Sequence, residues 1–399
     1  MPKKRILFFA EAVTLAHVAR PLVLAQALNP DRYDIYFASD PRFNDLFSDV
    51  AIPRLAIRSI TSQKFLANLA AGKPLYDVNT LRDYVSQELD LIRELDPDLV
   101  VGDFRLSLAV SGPVAQTPYV ALSNAYWSPH ASLRFPVPEL PFVRIVGTGL
   151  AQILFDLARP IAFALYCRPL NQLRREYGLK PLGGDLRRLY TWADHTVYAD
   201  IPELTPTQQL PANHHYIGPV LWSPHAQMPP WWNTLPTDRP IIYVTFGSSG
   251  RSDLLPTVLQ ALSELRVTVI AATAGRINLD QIPENVFIAD YLPGKEAVSR
   301  ARLVICNGGS PATQQALVQG VPVLGIPSNL DQHLNMEVVR KSDAGILLRA
   351  EQVTILRLKE VVRQMLESAA YASAAARLAR HFARYDAPTL FSALIERII

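Results

Sequence analysis

The stretch from Val304 to Asn335 constrains this chain more than any other, because it alternates apolar runs with glycines and polar residues at definite places. One apolar run ends at Cys306 and is followed by Asn307-Gly308-Gly309, a helix-forming segment, a second apolar run, and Asp331-Gln332 at the start of another helix. Glycines between a strand and a helix let backbone N–H groups approach an anion, and the helix start adds unpaired donors and a positive dipole end. The pattern predicts a diphosphate site, with a carboxylate and an amide one strand later that could hold the hydroxyls of an attached sugar.

Length and composition indicate a globular protein of two domains. The 399 residues are enough for two cores, and 49% apolar with 19% charged residues shows no sign of disorder. The net charge of +3 is close to balance and does not indicate a basic surface for nucleic acid. Cys167 and Cys306 lie far apart in apolar segments, which predicts free thiols and a reducing, cytoplasmic location.

Two apolar segments bear on membrane association. Residues 1–13 are charged and then apolar, but the apolar run meets Glu11, so we interpret it as a first core strand rather than a signal peptide. Residues 147–166 are the most membrane-like stretch, yet Asp156 and Arg159 lie in its middle, so we predict no transmembrane segment. This stretch could still line an apolar cleft or contact a membrane surface.

Apolar runs separated by amphipathic helices occur in two series along the chain. This alternation predicts right-handed βαβ units on parallel sheets. We therefore predict an α/β fold of two doubly wound, Rossmann-like domains facing across a cleft, with ligands at the carboxyl ends of the strands. The predicted segments are an N-terminal domain at 1–222 with a helical insertion at about 141–180, a proline-rich linker at 223–240, a C-terminal domain at 241–380, and a terminal helix at 381–399.

Other strand ends of the second domain carry polar or aromatic residues. Gly247-Ser248-Ser249 could wrap a phosphate, although a plain turn fits equally well. Tyr291-Leu292 offers an aromatic ring that could stack on a base or simply pack for stability. Asn307-Gly308-Gly309 with Thr313, and likewise Asp331-Gln332, could be ordinary helix caps. Each signal is common by itself, but their order and spacing together indicate a nucleotide-sugar site.

The order TFGSS, YLPG, NGGSPATQQALVQGVPVLGIP and DQHLN resembles the donor half of the GT-B nucleotide-sugar glycosyltransferases, specifically the UDP-glycosyltransferase-like group of natural-product and macrolide glycosyltransferases. The segments VTLAHVARPLVLAQAL and YIGPVLW extend the resemblance over nearly the whole chain. It implies a UDP- or dTDP-sugar co-substrate, no other cofactor, and closing helices that cross back to the first domain. The donor-binding residues that it implies are Gly247, Ser248, Ser249, Tyr291, Leu292, Asn307, Gly308, Gly309, Thr313, Gln315, Asp331 and Gln332.

Four positions depart from the pattern of this family. Asn307 stands where a diphosphate-contacting His is most common, and Gln315 stands where a Glu usually grips the donor ribose. Tyr291 replaces the usual stacking Trp, and Gly294 replaces the Gln that follows it. Amides can still donate to phosphate or to a ribose hydroxyl, and a deoxyribose nucleotide such as dTDP needs the ribose grip less than UDP does.

A histidine and an aspartate of the first domain are the candidate catalytic residues. His17 begins the first helix and Asp103 ends the strand DLVVGDF, and carboxyl ends of parallel strands gather at one edge of a sheet. The resemblance implies that His17 is the general base and Asp103 its partner. Neutral imidazole can take the proton of an attacking hydroxyl, while the carboxylate fixes its tautomer. The alternative is that both residues only cap helices.

The loops of the first domain are mostly apolar and aromatic, which favours a lipophilic or aromatic acceptor, although the same residues could be ordinary core. The candidate acceptor-binding residues are Leu15, Phe104, Asn124, Trp127 and Phe135.

The leading hypothesis is an inverting glycosyltransferase that acts without metal, since no cluster of His, Cys and carboxylates with metal-site spacing is found in the sequence. A monomer or a homodimer would fit. A nucleotide-sugar epimerase on a similar fold would need further carboxylates facing the sugar. A non-catalytic nucleotide-sugar-binding protein is the third hypothesis, suggested by Asn307 and Gln315. A Rossmann oxidoreductase is disfavoured, because no G-x-G-x-x-G motif follows the first strand.

Overall fold

A computed structural model describes residues 2–224, 226–277 and 281–399, so position 225 of the predicted linker lies outside the described residues. The chain divides into two compact units. Unit 1 comprises Met1–Leu133, Val146–Val220 and Tyr385–Ile399, and unit 2 comprises Arg134–Ile145 and Leu221–Arg384. Residues 134–145, which the sequence placed in the first domain, thus belong to the second unit, as does the linker segment, while the end of the chain belongs to the first.

Unit 1 is built on one sheet of seven parallel strands, in the order β3-β2-β1-β4-β5-β6-β7. Strand β1 lies in the centre, where Ile6 pairs with Ile35 on one side and with Leu99 on the other. The strands are β1 (Lys4–Ala10), β2 (Tyr33–Ser39), β3 (Arg54–Ala56), β4 (Leu99–Asp103), β5 (Tyr119–Ser123), β6 (His195–Tyr198) and β7 (His214–Tyr216).

Unit 2 repeats this architecture with six parallel strands in the order β10-β9-β8-β11-β12-β13. Its strands are β8 (Ile241–Thr245), β9 (Thr268–Ala272), β10 (Val286–Ala289), β11 (Ala301–Cys306), β12 (Val323–Gly325) and β13 (Gly345–Leu347). The central strands of both sheets are buried on both faces, as expected when helices cover both sides of a parallel sheet. The prediction of two parallel α/β domains is confirmed.

Thirteen α-helices are found in the described residues. They are α1 (Ala16–Gln26), α2 (Ser62–Ala70), α3 (Val78–Leu95), α4 (Leu108–Ala115), α5 (Val143–Glu176), α6 (Leu186–Tyr190), α7 (Leu255–Ser263), α8 (Gly294–Arg300), α9 (Ser310–Val318), α10 (Leu330–Lys341), α11 (Ile355–Glu367), α12 (Ala369–Phe382) and α13 (Ala387–Ile398). Helix α13 packs on the first sheet, with Phe391 against Phe8 of β1. Gly147, at a φ of 76°, interrupts α5 near its start.

Helix α5 is the one described helix that is long and apolar enough to cross a membrane by length and composition, and only 17% of its most apolar window is buried.

The two cysteines, Cys167 in α5 and Cys306 at the end of β11, are both free and buried, as the sequence predicted.

The strand order reverses once in each sheet, and these reversals mark where ligands bind in doubly wound folds. In unit 1 the reversal lies between β1 and β4, where Ala10 pairs with Asp103. In unit 2 it lies between β8 and β11, where Thr245 pairs with Cys306. The chain leaves the two neighbouring strands toward opposite faces, which opens a crevice at their carboxyl ends. The residues that follow these strand ends are those singled out by the sequence.

Candidate active site

His17 and Asp103 meet at the crevice of unit 1. The Nδ1 atom of His17 lies 2.8 Å from Oδ1 of Asp103. Asp103 is the last residue of β4 and its side chain is fully buried, whereas the His17 side chain on the first turn of α1 is 20% exposed. A carboxylate on Nδ1 fixes the proton there and leaves Nε2 as the basic nitrogen. The pair therefore has the geometry of an oriented base with access to solvent.

Arg20 is a third member of this cluster that the sequence analysis did not single out. Its Nε donates to Oδ2 of Asp103 at 2.6 Å and its Nη2 donates to Oδ1 at 2.8 Å, while Nη1 reaches Oδ1 of Asn124 at 2.9 Å. Burial would raise the pKa of Asp103, but the charge and hydrogen bonds of Arg20, with the hydrogen bond to His17, lower it below its usual value. Arg20 follows His17 by one helical turn, so the i, i+3 spacing was the signal available in the sequence.

Phe104 covers the imidazole from one side. Its ring stacks on that of His17, with centroids 4.6 Å apart and planes 12° from parallel. Phe104 has a φ of 54°, in the left-handed region that a bulky residue rarely adopts. The neighbours on both sides, Asp103 and Arg105, are held inside the protein by ion pairs, which turns the intervening side chain outward over His17.

Arg105 holds a buried ionic network beneath this site. Its Nη1 donates to Glu11 at 2.7 Å and its Nε donates to Glu88 at 2.6 Å, and all three side chains are fully buried. The guanidinium also lies 3.6 Å from the ring centroid of Tyr84, whose hydroxyl donates to Glu11. Burial raises the pKa of both Glu11 and Glu88, against the lowering effect of the Arg105 charge. The network ties the ends of β1 and β4 to α3.

Four of the five predicted acceptor residues belong to unit 1. Leu15 precedes α1, Phe104 covers His17, and Asn124 bonds to Arg20 and donates to the Tyr126 hydroxyl at 2.8 Å. Trp127 meets an aromatic ring that the sequence analysis missed, Tyr190, in an edge-on contact at 4.8 Å, and Tyr190 in turn lies 5.4 Å from Phe104. Phe135 is buried in unit 2, in the segment 134–145.

A small apolar pocket lies next to these rings in unit 1. Tyr190 belongs to its lining, so the pocket adjoins the aromatic side chains beside His17. Helix α5 contributes Tyr166, Pro169 and Leu170 to the wall, and the rest is formed by Leu75, Tyr76, Leu81, Leu106, Leu186 and Leu189.

In unit 2, the turn at 307–309 leads directly into α9. Gly308 has a φ of 75° and lies so close to Met336 that a Cβ there would overlap it, so glycine is required at this position. The side chain of Asn307 accepts from the backbone N–H of Gly309 at 3.0 Å and shapes the turn. No side chain caps α9, so the first-turn N–H groups have no side-chain acceptor and suit an anion.

The loop 247–249 after β8 lies beside this turn. The Nδ2 atom of Asn307 is 3.4 Å from Oγ of Ser249, which brings the two predicted phosphate loops into contact. Arg276 fixes the loop from outside by donating to the carbonyl oxygens of Gly247 at 3.1 Å and Gly250 at 2.8 Å. Arg276 was not recognised from the sequence, because a loop arginine far along the chain carries no local signal.

Gln315 and the segment 291–294 are also neighbours. A Cβ at Gly294 would overlap the side-chain amide of Gln315, so the absence of a side chain at 294 makes room for that amide. Tyr291 is half-buried at the end of the β10 segment, while Leu292 is buried. The two departures from the family pattern at 294 and 315 are thus spatially linked.

Thr313, Asp331 and Gln332 take positions that differ from one another. The Thr313 hydroxyl is buried and donates to carbonyl oxygens of the preceding turn, and it accepts from Asn335 at 2.9 Å. The Gln332 side chain accepts from the backbone and hydroxyl of Ser328, and the N-cap of α10 is Asn329. Asp331 is half-buried in the first turn of α10. The side chains of Thr313 and Gln332 are therefore held by hydrogen bonds to neighbouring loop residues. Asp331 is the most exposed of the three.

Residues 2–224, 226–277 and 281–399 contain no group of three or more His, Cys, Asp or Glu that could hold a metal ion.

Comparison with known proteins finds relatives that match nearly the whole chain. Residues 256–396 match the family model described as erythromycin biosynthesis protein CIII-like, C-terminal domain. A PGL/p-HBAD biosynthesis glycosyltransferase of Mycobacterium tuberculosis strain H37Ra is 54% identical over 95% of this chain and 89% of its own length. A PGL/p-HBAD biosynthesis rhamnosyltransferase of Mycobacterium bovis strain BCG Pasteur 1173P2 is 55% identical over 96% of this chain and 85% of its own.

Among solved structures, spinosyn rhamnosyltransferase SpnG complexed with thymidine diphosphate is similar with a TM-score of 0.69 and 19% identity. The match covers 98% of this chain and 100% of the other, and it confirms the predicted GT-B fold.

Proposed function

Because this chain belongs to the glycosyltransferase family of those mycobacterial relatives, we propose that it moves a hexose or deoxyhexose, with rhamnose as the first candidate, to a hydroxyl of a small lipophilic or aromatic acceptor. That the chain is a glycosyltransferase follows from the identity over most of its length. The choice of rhamnose is supported by the name of the relative from M. bovis. The single observation that carries the mechanism is the contact between His17 and Asp103 at the crevice of unit 1.

The proposed reaction is a single displacement with inversion. Nε2 of His17 takes the proton of the acceptor hydroxyl while the hydroxyl oxygen forms a bond to the anomeric carbon. The bond from that carbon to the diphosphate oxygen breaks on the opposite face, and the nucleoside diphosphate leaves with the electron pair. Asp103 stabilises the imidazolium that results, as the acid of a hydrolase triad does. Proton transfer of this kind contributes on the order of 10²–10⁴ in rate.

The leaving diphosphate is assigned to the start of α9 and the adjoining loop 247–249. Uncapped N–H groups and the dipole of α9 favour negative charge at this end, so the reaction proceeds without metal in this proposal. The amide of Asn307 contacts Ser249 and that of Gln315 lies against Gly294, and both amides can donate to phosphate or to a donor hydroxyl. A dTDP-sugar or a UDP-sugar is the proposed donor. The thymidine diphosphate named for the SpnG structure supports dTDP as the first to test.

The acceptor is assigned to the aromatic surface of unit 1. Phe104, Tyr190 and Trp127 form a continuous series of ring contacts that begins at His17. The small adjoining pocket adds leucine side chains such as Leu106 and Leu189 to this surface, which supports an acceptor with an apolar part. The free thiols of Cys167 and Cys306 fit a reducing location, and we place the reaction in the cytoplasm.

The test is a matrix of dTDP-rhamnose, dTDP-glucose, UDP-glucose and GDP-mannose against a series of alkyl phenols, with and without a metal chelator. We expect transfer from a dTDP- or UDP-sugar, undiminished by the chelator, with inverted anomeric configuration in the product by NMR. His17→Ala should slow transfer by a factor on the order of 10²–10⁴ while donor affinity is unchanged. Transfer by His17→Ala at the wild-type rate would refute the mechanism, and retained anomeric configuration would refute the single displacement.

An epimerase or a non-catalytic binding protein is not favoured, because the relatives that match nearly the whole chain are glycosyltransferases. Incubation with donor alone tests for the epimerase, because an epimerase would convert the sugar nucleotide without any acceptor.

A further inference from the structure

One face of helix α5 exposes a row of aliphatic side chains to solvent. We call this row the α5 stripe and define it as Leu150, Ile153, Leu154, Leu157, Ile161 and Leu165. Leu157 is 72% exposed and Ile161 is 68% exposed, which is unusual for adjacent large aliphatic residues in one helix. The spacing of three and four residues places all six on one side of the helix, over a length of roughly 20 Å.

The α5 stripe continues into positive charge. Leu154, Ile161, Arg168 and Arg175 recur every two turns, so the two exposed arginines extend the line of the stripe toward the end of the helix. Acidic residues are absent from this line. Asp156 lies on another side of the helix, where Gln152 donates to it, and Glu176 is paired with Arg82. An apolar row that ends in unopposed arginines is complementary to a surface with an apolar interior and anionic groups at its edge.

The opposite side of α5 packs on unit 1. Phe163, Cys167 and Leu170 are buried there, and Tyr166, Pro169 and Leu170 line the apolar pocket that adjoins Tyr190. A helix that is committed to a protein core along one side can lie on a bilayer but cannot be surrounded by lipid. This separates surface contact from a membrane span, although α5 is long and apolar enough for either.

We propose that the α5 stripe docks unit 1 on the surface of a membrane that contains anionic phospholipids. The six aliphatic side chains enter the boundary between head groups and acyl chains, and Arg168 and Arg175 reach phosphate groups. The helix then lies between the bilayer on one side and the apolar pocket on the other, which suits an enzyme whose acceptor partitions into lipid.

A second copy of this chain is the competing occupant of the stripe. Two copies packed stripe to stripe about a two-fold axis would offer Arg168 and Arg175 no acidic partner on the stripe of the other chain, because the stripe is aliphatic throughout. On a membrane the same arginines extend to the head groups. The charge pattern therefore favours lipid.

The test is co-sedimentation of the full chain, without donor or acceptor, with vesicles of phosphatidylcholine alone and of phosphatidylcholine mixed equally with phosphatidylglycerol. Since no turnover is measured, failure of the proposed glycosyl transfer would not affect the result. The variants are L157S/I161S in the stripe and R168Q/R175Q beside it. The matched control is L356S, which removes a 77% exposed leucine of α11 in unit 2.

We expect the wild type and L356S to bind the anionic vesicles equally. L157S/I161S should weaken binding roughly tenfold or more, because two aliphatic side chains no longer enter the bilayer. R168Q/R175Q should weaken binding to the anionic vesicles by roughly tenfold or more as well, and should reduce its salt dependence. Circular dichroism should match the wild type for both double variants.

Equal vesicle binding by the wild type and L157S/I161S, or no binding by the wild type, would overturn the proposal. A wild-type dimer in analytical ultracentrifugation that L157S/I161S converts to a monomer would overturn it too, and would assign the stripe to a second copy.

Discussion

Arg20 grips both carboxylate oxygens of Asp103, at 2.6 Å through Nε and at 2.8 Å through Nη2, while the same carboxylate also contacts His17. A buried carboxylate with one histidine partner would be held in place by a single hydrogen bond. The guanidinium adds a planar, bidentate clamp that fixes the rotation of the carboxyl group as well as its charge. The proposed catalytic pair is therefore part of a group of three side chains, in which Arg20 orients Asp103 and Asp103 contacts His17.

Asp103→Asn should lower kcat by roughly 10²–10⁴, because an amide neither fixes the proton on Nδ1 of His17 nor stabilises the imidazolium. Donor affinity, measured by calorimetry, should stay unchanged, since Asp103 belongs to unit 1 and the donor loops belong to unit 2. A variant with wild-type kcat would remove Asp103 from the mechanism.

Arg20→Gln should lower kcat by roughly tenfold or more, because Asp103 loses the clamp that orients it. Without the Arg20 charge the pKa of Asp103 should rise, so the acid limb of the pH profile of kcat/KM should move to higher pH. A merely structural role would not cause this shift. Arg20→Lys keeps the charge without the bidentate geometry and should recover part of the loss. Equal activity of Arg20→Gln and the wild type across the pH range would show that His17 orients Asp103 alone.

Gly294→Ala should weaken donor binding while leaving the stability of the fold nearly unchanged. The added Cβ would overlap the amide of Gln315, and that amide is the flexible end of a side chain that can move aside at small cost. We expect Gly294→Ala to reduce donor affinity about as much as Gln315→Ala, by roughly tenfold or less. Gly149→Ala, in α5 with open space around its Cβ, is the matched control. Unchanged affinity in both Gly294→Ala and Gln315→Ala would exclude Gln315 from the donor site.

Arg105→Met should destabilise the protein by about 3–5 kcal/mol in urea unfolding, because it leaves Glu11 and Glu88 buried without a cation. The matched control is Arg93→Met, which breaks an exposed ion pair with Asp90 and should cost about 1 kcal/mol or less. An equal loss of unfolding free energy in the two variants would show that the buried ion pairs of Arg105 do not stabilise unit 1.

Acid should destabilise unit 1 partly through His214. Burial lowers the pKa of this imidazole to about 4, with the nearby His130 and His215 acting in the same direction. The unfolded chain takes up a proton near the ordinary value of 6.5, whereas the folded protein does so only near 4. Between these values the unfolded state binds more protons, so stability falls as pH falls through this window.

His214→Gln removes this proton uptake. The urea midpoint of the variant should therefore fall less than that of the wild type when the buffer is changed from about pH 7 to about pH 5. An equal fall in both proteins would show that other groups govern acid unfolding.

The sequence by itself determined the two parallel α/β domains, the turn at 307–309 and the pairing of His17 with Asp103 as neighbours at a strand edge. These features depend on local patterns, namely the period of apolar residues and the glycines between strand and helix, and on the rule that parallel strand ends share an edge. The close contact of Asn307 with Ser249 follows from the same rule once the strand order is known.

Only the tertiary structure decided which side chains complete the site. Tyr190 reaches Phe104 from a helix that follows a long excursion of the chain, and Arg276 holds the loop at 247 from another strand end. The left-handed backbone of Phe104 results from buried ion pairs on both sides of it, and Thr313 turns inward because Asn335 is placed to donate to it. Each of these depends on contacts between segments far apart in sequence, whose geometry is set by packing and by the pairing of buried charges rather than by local preference.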